Sequence, residues 1–179
     1  YGRTKLEGEA ALLAASPLSC VLRLPLLYGP IADWSESAVT SLVPAIVASA
    51  RAGAEAVGMD AWAIRYPTYT PDVAAVIRDL LHRHLAGASV VGIRHWSGDE
   101  AMTKYEIAQR IAEAMGLHAS LAPIDTPADA TPRPYDCHLD AARLHALGIR
   151  HATPFDTALR EVLREAPPLP SPSAAPHKS

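Results

Sequence analysis

Apolar residues recur at helical spacing in the first segment, where Leu6, Ala10, Leu13 and Ala14 form a stripe that stops before Ser16-Pro17. The pattern then changes. Cys20-Val21-Leu22-Arg23-Leu24 has the run of apolar residues expected of a short buried strand, and it opens into the turn-rich Pro25-Leu26-Leu27-Tyr28-Gly29-Pro30. The spacing predicts a helix from about Ala38 to Arg51, after which Gly53 and Gly58 break the chain, and a short strand from Arg65 to Tyr69. Thr70-Pro71-Asp72 is a helix start, with Thr as the cap and Pro in the first turn. The helix that follows carries Val73, Val76, Ile77, Leu80, Leu81 and Leu85 and stops at Gly87. Val90 to Trp96 is the clearest strand, turned by Ser97-Gly98-Asp99. Thr103 then caps a helix, with Glu106 three residues on and Gly116 closing it. Ala122 to Pro134 holds four prolines and is expected to be an irregular loop. Two short helices follow, near Leu139 to Leu147 and Phe155 to Arg164, and from Pro167 onward the chain loses periodicity. Strands alternating with helices at this spacing indicate an α/β fold.

Composition narrows the class. The 179 residues are within the range of one domain, and 49% hydrophobic against 20% charged residues is enough apolar content to build a core. The net charge of −3 comes from basic and acidic residues mixed along the chain, without the basic block that nucleic acid would call for. Cys20 and Cys137 are the two cysteines and neither belongs to a Cys-x-x-Cys pair, which argues against a disulfide scaffold or a zinc ribbon. The apolar stretch from Ala38 to Ala50 is interrupted by Thr40, Ser41, Pro44 and Ser49 and is too short and too polar to span a membrane. The expected setting is a reducing compartment: the cytoplasm, with the nucleus as a second location.

The candidate chemistry sits at the start of the chain. Tyr1 and Lys5 are one helical turn apart, so on a helix their side chains share a face. A cation beside a phenol favours the phenolate and lowers its pKa from about 10. That pairing suits proton transfer to a carbonyl oxygen while a nicotinamide delivers hydride. By spacing alone the pair is equally two residues of an amphipathic helix. Ligands of parallel α/β sheets bind at the carboxyl ends of strands, and Leu24 to Gly29 is such an end. A dinucleotide-binding half would have to lie upstream of Tyr1. Of the eight histidines, His82 and His84 are two apart and face different sides of a helix, and no metal site is expected. Cys20 reads as strand packing and Trp96 as half-buried scaffold.

Tyr1-x-x-x-Lys5 followed by Leu6-Glu7-Gly8-Glu9, and then Leu22-Arg23-Leu24-Pro25-Leu26-Leu27-Tyr28-Gly29, resembles the extended short-chain dehydrogenase/reductases, in particular the dTDP-4-dehydrorhamnose reductase family. Further along, Glu36-Ser37-Ala38-Val39-Thr40, Arg65-Tyr66-Pro67-Thr68, Asp72-Val73-Ala74, His95-Trp96-Ser97-Gly98 and Met102-Thr103-Lys104-Tyr105-Glu106 are similar to a non-catalytic branch of that family. That branch is the regulatory β subunits of methionine adenosyltransferase. Arg133-Pro134, Leu139-Asp140, Leu147-Gly148-Ile149 and Thr153-Pro154-Phe155 extend the likeness, which runs from Tyr1 to about Leu163.

The resemblance implies the C-terminal half of an NAD(P)-binding, Rossmann-like extended short-chain dehydrogenase fold. Residues 1–166 would form this portion with its small substrate-type lobe, the N-terminal half of the sheet would be absent, and residues 167–179 would be a disordered Pro/Ser-rich tail. It implies that Tyr1 and Lys5 contact the nicotinamide riboside of NADP, with Lys5 also holding ribose hydroxyls. Leu27 would lie against the nicotinamide end. The partner it implies is the catalytic subunit of methionine adenosyltransferase, held in a hetero-oligomer and modulated as it makes S-adenosylmethionine from methionine and ATP. A second reading stays open: NADPH-dependent reduction of a 4-keto sugar nucleotide, with Tyr1 as proton donor and Lys5 as the modulator of its pKa.

Overall fold

The computed structural model describes residues 2–127 and 134–169. Among these residues the strands form three parallel pairs. The first pair is β1 (Cys20–Arg23) with β5 (Gly92–His95), in register from Cys20 opposite Gly92 to Arg23 opposite His95. Over it lies α3 (Thr70–Leu85), whose Val73, Val76 and Leu80 pack with Val90, Trp96, Leu144 and Ile149 into one apolar core. Cys20, Leu22 and Leu24 line that core from the sheet side, so β1 is half-buried where full burial was expected. Trp96 goes the other way: predicted half-buried, it is 1% exposed. The helix start at Thr70 also shifts by one residue. Tyr69 is the cap, and its side chain makes no capping bond.

The second core belongs to a lobe of three helices: α2 (Val43–Ser49), α4 (Lys104–Ala114) and α6 (Phe155–Glu165). Val43, Ile46, Ile107, Ile111, Phe155, Leu159 and Val162 are buried together there. The expected capping box starts α4: the Thr103 hydroxyl accepts from the Glu106 N–H and the Glu106 carboxylate accepts from the Thr103 N–H. Arg110 on α4 reaches Asp156 on α6 at 2.6 Å. The helix expected over 38–51 is shorter than its pattern. A 3₁₀ turn at Thr40–Leu42 precedes α2, because Pro44 is tolerated only in a helix's first turn.

A pair of strands that the sequence did not announce closes the lobe: β3 (Val57–Asp60) and β6 (Leu121–Ile124), running parallel from Val57 opposite Leu121 to Asp60 opposite Ile124. Gly58 reads as a breaker and Pro123 as loop, yet both lie within this pair. The bonds from the Val57 N–H to the Ser120 carbonyl and from the Ala61 N–H to the Ile124 carbonyl show why Pro123 fits. Alternate residues of β6 face β3, and Pro123 points its ring nitrogen the other way, where no ladder bond is lost.

The two cores meet at the pair β2 (Leu27–Tyr28) and β4 (Thr68–Tyr69). Tyr28 and Tyr69 belong to the lobe core, whereas β4 leads directly into α3. Glycine is required here. A Cβ on Gly98 would run into the Pro67 carbonyl, and the Gly98 N–H donates to the Thr68 hydroxyl at 2.9 Å.

The helix α1 (Gly2–Ala15) departs most from its pattern: it has no buried residue. Leu6 is 60% exposed, and Gly8 has nothing within 4 Å of where a Cβ would stand.

Candidate functional site

The carboxyl end of β1 is where the fold brings candidate groups together. Arg23 ends the strand, and the chain then turns through Leu24, Pro25 and Leu26 into β2. Leu26 packs on the lobe core while Leu27, the next residue, turns out to solvent at 38% exposure. Alternation along a strand accounts for the contrast. Tyr28 turns back in and is enclosed by Tyr69 and Phe155, with ring centroids at 5.6 and 5.2 Å. Burial, reinforced by Glu100 and Asp72, pushes the Tyr28 phenol far above its ordinary range. It is enclosed by its neighbours and keeps its proton at neutral pH. Tyr69 is pushed up to about 12, first by burial and then by its 2.9 Å bond to the Glu161 carboxylate.

Above this end lies α1 with Lys5, an exposed residue in the helix's first turns. The tie between helix and strand is ionic. Arg23 Nε donates to Glu9 Oε1 and Oε2 at 3.0 and 3.1 Å, and Arg23 Nη2 donates to Oε2 at 2.5 Å. Of the residues expected to meet a nicotinamide riboside, Lys5 is on the helix that Glu9 ties to the end of β1, and Leu27 is on β2, which follows β1; both residues are exposed. Tyr1 lies outside the described residues. An ammonium donor and an apolar side chain are the kinds of group that suit a ribose hydroxyl and the face of a nicotinamide ring, respectively.

A second set of groups gathers on the rim of the lobe. Asp60 Oδ1 accepts from the Trp62 and Ala63 N–H groups at 2.9 and 3.0 Å, turning the chain sharply after β3. Arg65, with its side chain 13% exposed, lies 3.7 Å from the Asp60 carboxylate, and its Nη1 also reaches Cys137 Sγ at 3.7 Å. Trp62 meets Tyr135 edge-on at 5.2 Å, and Tyr66 stacks at a tilt on His138 at 4.7 Å. Sequence reading singled out the Arg65–Thr68 block but missed that Trp62, Tyr135 and His138 converge with it. The Asp60-x-Trp62 turn was the available signal. It also missed two acids of α3 that hold the chain before α6. Asp72 accepts from the Thr153 N–H and hydroxyl at 2.7 and 2.8 Å, and Asp79 pairs with His151 at 2.7 Å.

A polar groove of about 630 Å³ runs along α4, lined by Glu100, Met102, Glu106, Gln109, Arg110 and Glu113. Three of its charged groups are already engaged. Glu106 serves the cap, Glu100 accepts from the Phe155 N–H at 2.6 Å, and Arg110 is bound to Asp156. Among the described residues no group of three or more acidic, histidine or cysteine side chains is placed to hold a metal ion, and no helix is long and apolar enough to cross a membrane.

Comparison with known proteins places this arrangement. The chain is 47% identical over 165 residues to methionine adenosyltransferase 2 subunit beta of Xenopus tropicalis, an alignment covering 91% of this chain and 48% of that protein. It is 29% identical over 161 residues to dTDP-4-dehydrorhamnose reductase of Aggregatibacter actinomycetemcomitans, covering 84% of this chain and 52% of the relative. The chain thus spans about half the length of these relatives. Among solved structures, the dTDP-4-dehydrorhamnose reductase of Bacillus anthracis in complex with NADP superposes with a TM-score of 0.75 at 22% identity, over 92% of this chain and 54% of that one. That likeness shows the Rossmann-like extended short-chain dehydrogenase fold, and the parallel pairing of β1 with β5 agrees with it. Residues 1–167 match the model of the RmlD substrate binding domain, and the chain belongs to that family.

Proposed function

We propose that the protein acts as a regulatory subunit of methionine adenosyltransferase: it binds NADP and the catalytic subunit, and modulates S-adenosylmethionine synthesis without catalysing a reaction of its own. The observation that carries this reading is the 47% identity to a methionine adenosyltransferase 2 subunit beta, against 29% to a reductase over nearly the same stretch. The site supports it. Lys5 would hold ribose hydroxyls, Tyr1 would share the nicotinamide riboside with it, and Leu27 would pack on the nicotinamide face. NADP in its reduced form carries a hydride that a reductase would use and a regulator would not. Around the cofactor end, the described loop offers apolar Leu26 and Leu27 and a Tyr28 buried in the lobe core.

The reductase reading is favoured by one observation, the Tyr1–Lys5 spacing on a reductase-like fold. An assay of a full-length form, with its N-terminal half restored, with NADPH and a dTDP-4-keto-6-deoxy sugar separates the two. The regulatory reading expects no NADPH oxidation above background and co-elution of the chain with the catalytic subunit. Turnover that disappears in Tyr1→Phe, with no co-elution, would establish the reductase instead.

A further inference from the structure

We propose that Glu9 is a positioning residue: its two-point pair with Arg23 sets the rotation and height at which α1 presents Lys5 over the carboxyl end of β1. The consequence for ligand binding rests on the cofactor reading above. The anchoring itself rests on geometry alone.

Most amphipathic helices are oriented by the apolar face they bury. α1 cannot be, because none of its 14 residues is buried. Leu6 and Leu12 are exposed, and only Glu9 and Leu13 are half-covered. The strongest described link from helix to sheet is therefore the Glu9 carboxylate gripping both Nε and Nη2 of Arg23. A forked pair of this kind fixes direction as well as distance, since both carboxylate oxygens and two guanidinium nitrogens must lie near one plane. The charge environment agrees. The Arg23 hydrogen bond holds the Glu9 carboxyl below its usual range, and His95, beside Arg23 in the strand register, adds to the effect.

Helical geometry carries this anchor to Lys5. Glu9 is four residues beyond Lys5, so the two share a face, about 6 Å apart along the axis and about 40° apart around it. Pinning Glu9 to the last residue of β1 therefore restrains the turn of α1 that carries Lys5 as well. Sequence reading found Glu9 only as part of a family block. The structure gives it a task.

Hydrogen exchange on the chain, in the absence of ligand, tests the anchor. Glu9→Gln should speed exchange of the α1 amides by about tenfold or more while leaving α4 protected, which shows that the fold survives. Glu9→Arg should do so more strongly, by setting two guanidiniums face to face. The exchange Glu9→Arg with Arg23→Glu should restore protection, a rescue that general loosening of the helix would not give. An α1 that exchanges at the unfolded rate in the parent, is indifferent to Glu9→Gln, or is not rescued by the swap overturns the proposal. NADP titration of the same substitutions in a full-length form, with the N-terminal half restored, reads the other claim separately. A full-length parent that binds no NADP, while α1 protection still follows the swap, removes the cofactor reading and supports the anchor.

Discussion

Ile111 and Leu81 are both apolar residues on well-formed helices, and their surroundings could hardly differ more. Ile111, on α4, is fully enclosed among the side chains of α2, α6 and β3. Leu81, on α3, is 57% exposed, and Leu85, one turn on, is 81% exposed. Leu81 lines an apolar trough of about 380 Å³ with Leu18, Cys20, Leu22, Ile77 and Val90. Next to the trough, the outer edge of β1 carries the backbone groups of Cys20 and Leu22, with no strand on that side among the described residues. The lobe closes its core with its own elements. The sheet region buries one side of α3 and leaves apolar surface and a strand edge facing water, the condition that favours association.

The sharpest way to break this comparison is by substitution in each region. Ile111→Ala should cost about 2–5 kcal/mol in urea denaturation, the usual range for emptying an enclosed site. Leu85→Ala should stay within about 0.5 kcal/mol, as for an exposed position. Equal losses at the two sites would mean that the α3 face is covered in solution. Next in size is an effect on association: Leu81→Lys with Leu85→Lys should shift the chain toward monomer in sedimentation without lowering its unfolding midpoint. A cap comes next. Thr103→Ala removes the hydroxyl that accepts from the Glu106 N–H and should cost about 1 kcal/mol, confined to the lobe.

The smallest expected effect is on the acid limb of stability. Asp79 is held below its ordinary 3.8, first by His151 and then by Arg78. A carboxyl depressed in the native state adds stability that is complete above its unfolded value and is lost as pH falls through the native one. Asp79→Asn should therefore lower the neutral plateau slightly and flatten the stability profile below about pH 4. A profile that steepens instead would contradict the pairing.

Much of the architecture was legible from periodicity and caps. The Thr103–Glu106 box, the α3 stripe and the strand at Gly92–His95 all declare themselves locally, through spacing of 3.6 or 2 and through Gly87 and Gly116 as stops. What was not legible depends on partners distant in sequence. β3 and β6 hold Gly58 and Pro123, and only their pairing shows that Pro123 faces away from the ladder. The α1 stripe is regular, but regular spacing does not say whether anything covers it. At the candidate site, Lys5 and Leu27 were identified by resemblance, and their connection was invisible because Glu9 and Arg23 are joined across 14 residues of chain. The convergence of Trp62, Arg65, Tyr66, Tyr135 and His138 is hidden for the same reason.

The measurement that bears most directly on the functional reading is a methionine saturation curve of the methionine adenosyltransferase catalytic subunit, taken with and without the chain at equal concentration. The regulatory reading predicts a saturable change in the KM for methionine that tracks formation of the complex and occurs without consumption of NADPH. An unchanged curve at concentrations where NADPH is oxidised in the presence of a 4-keto sugar nucleotide would contradict it.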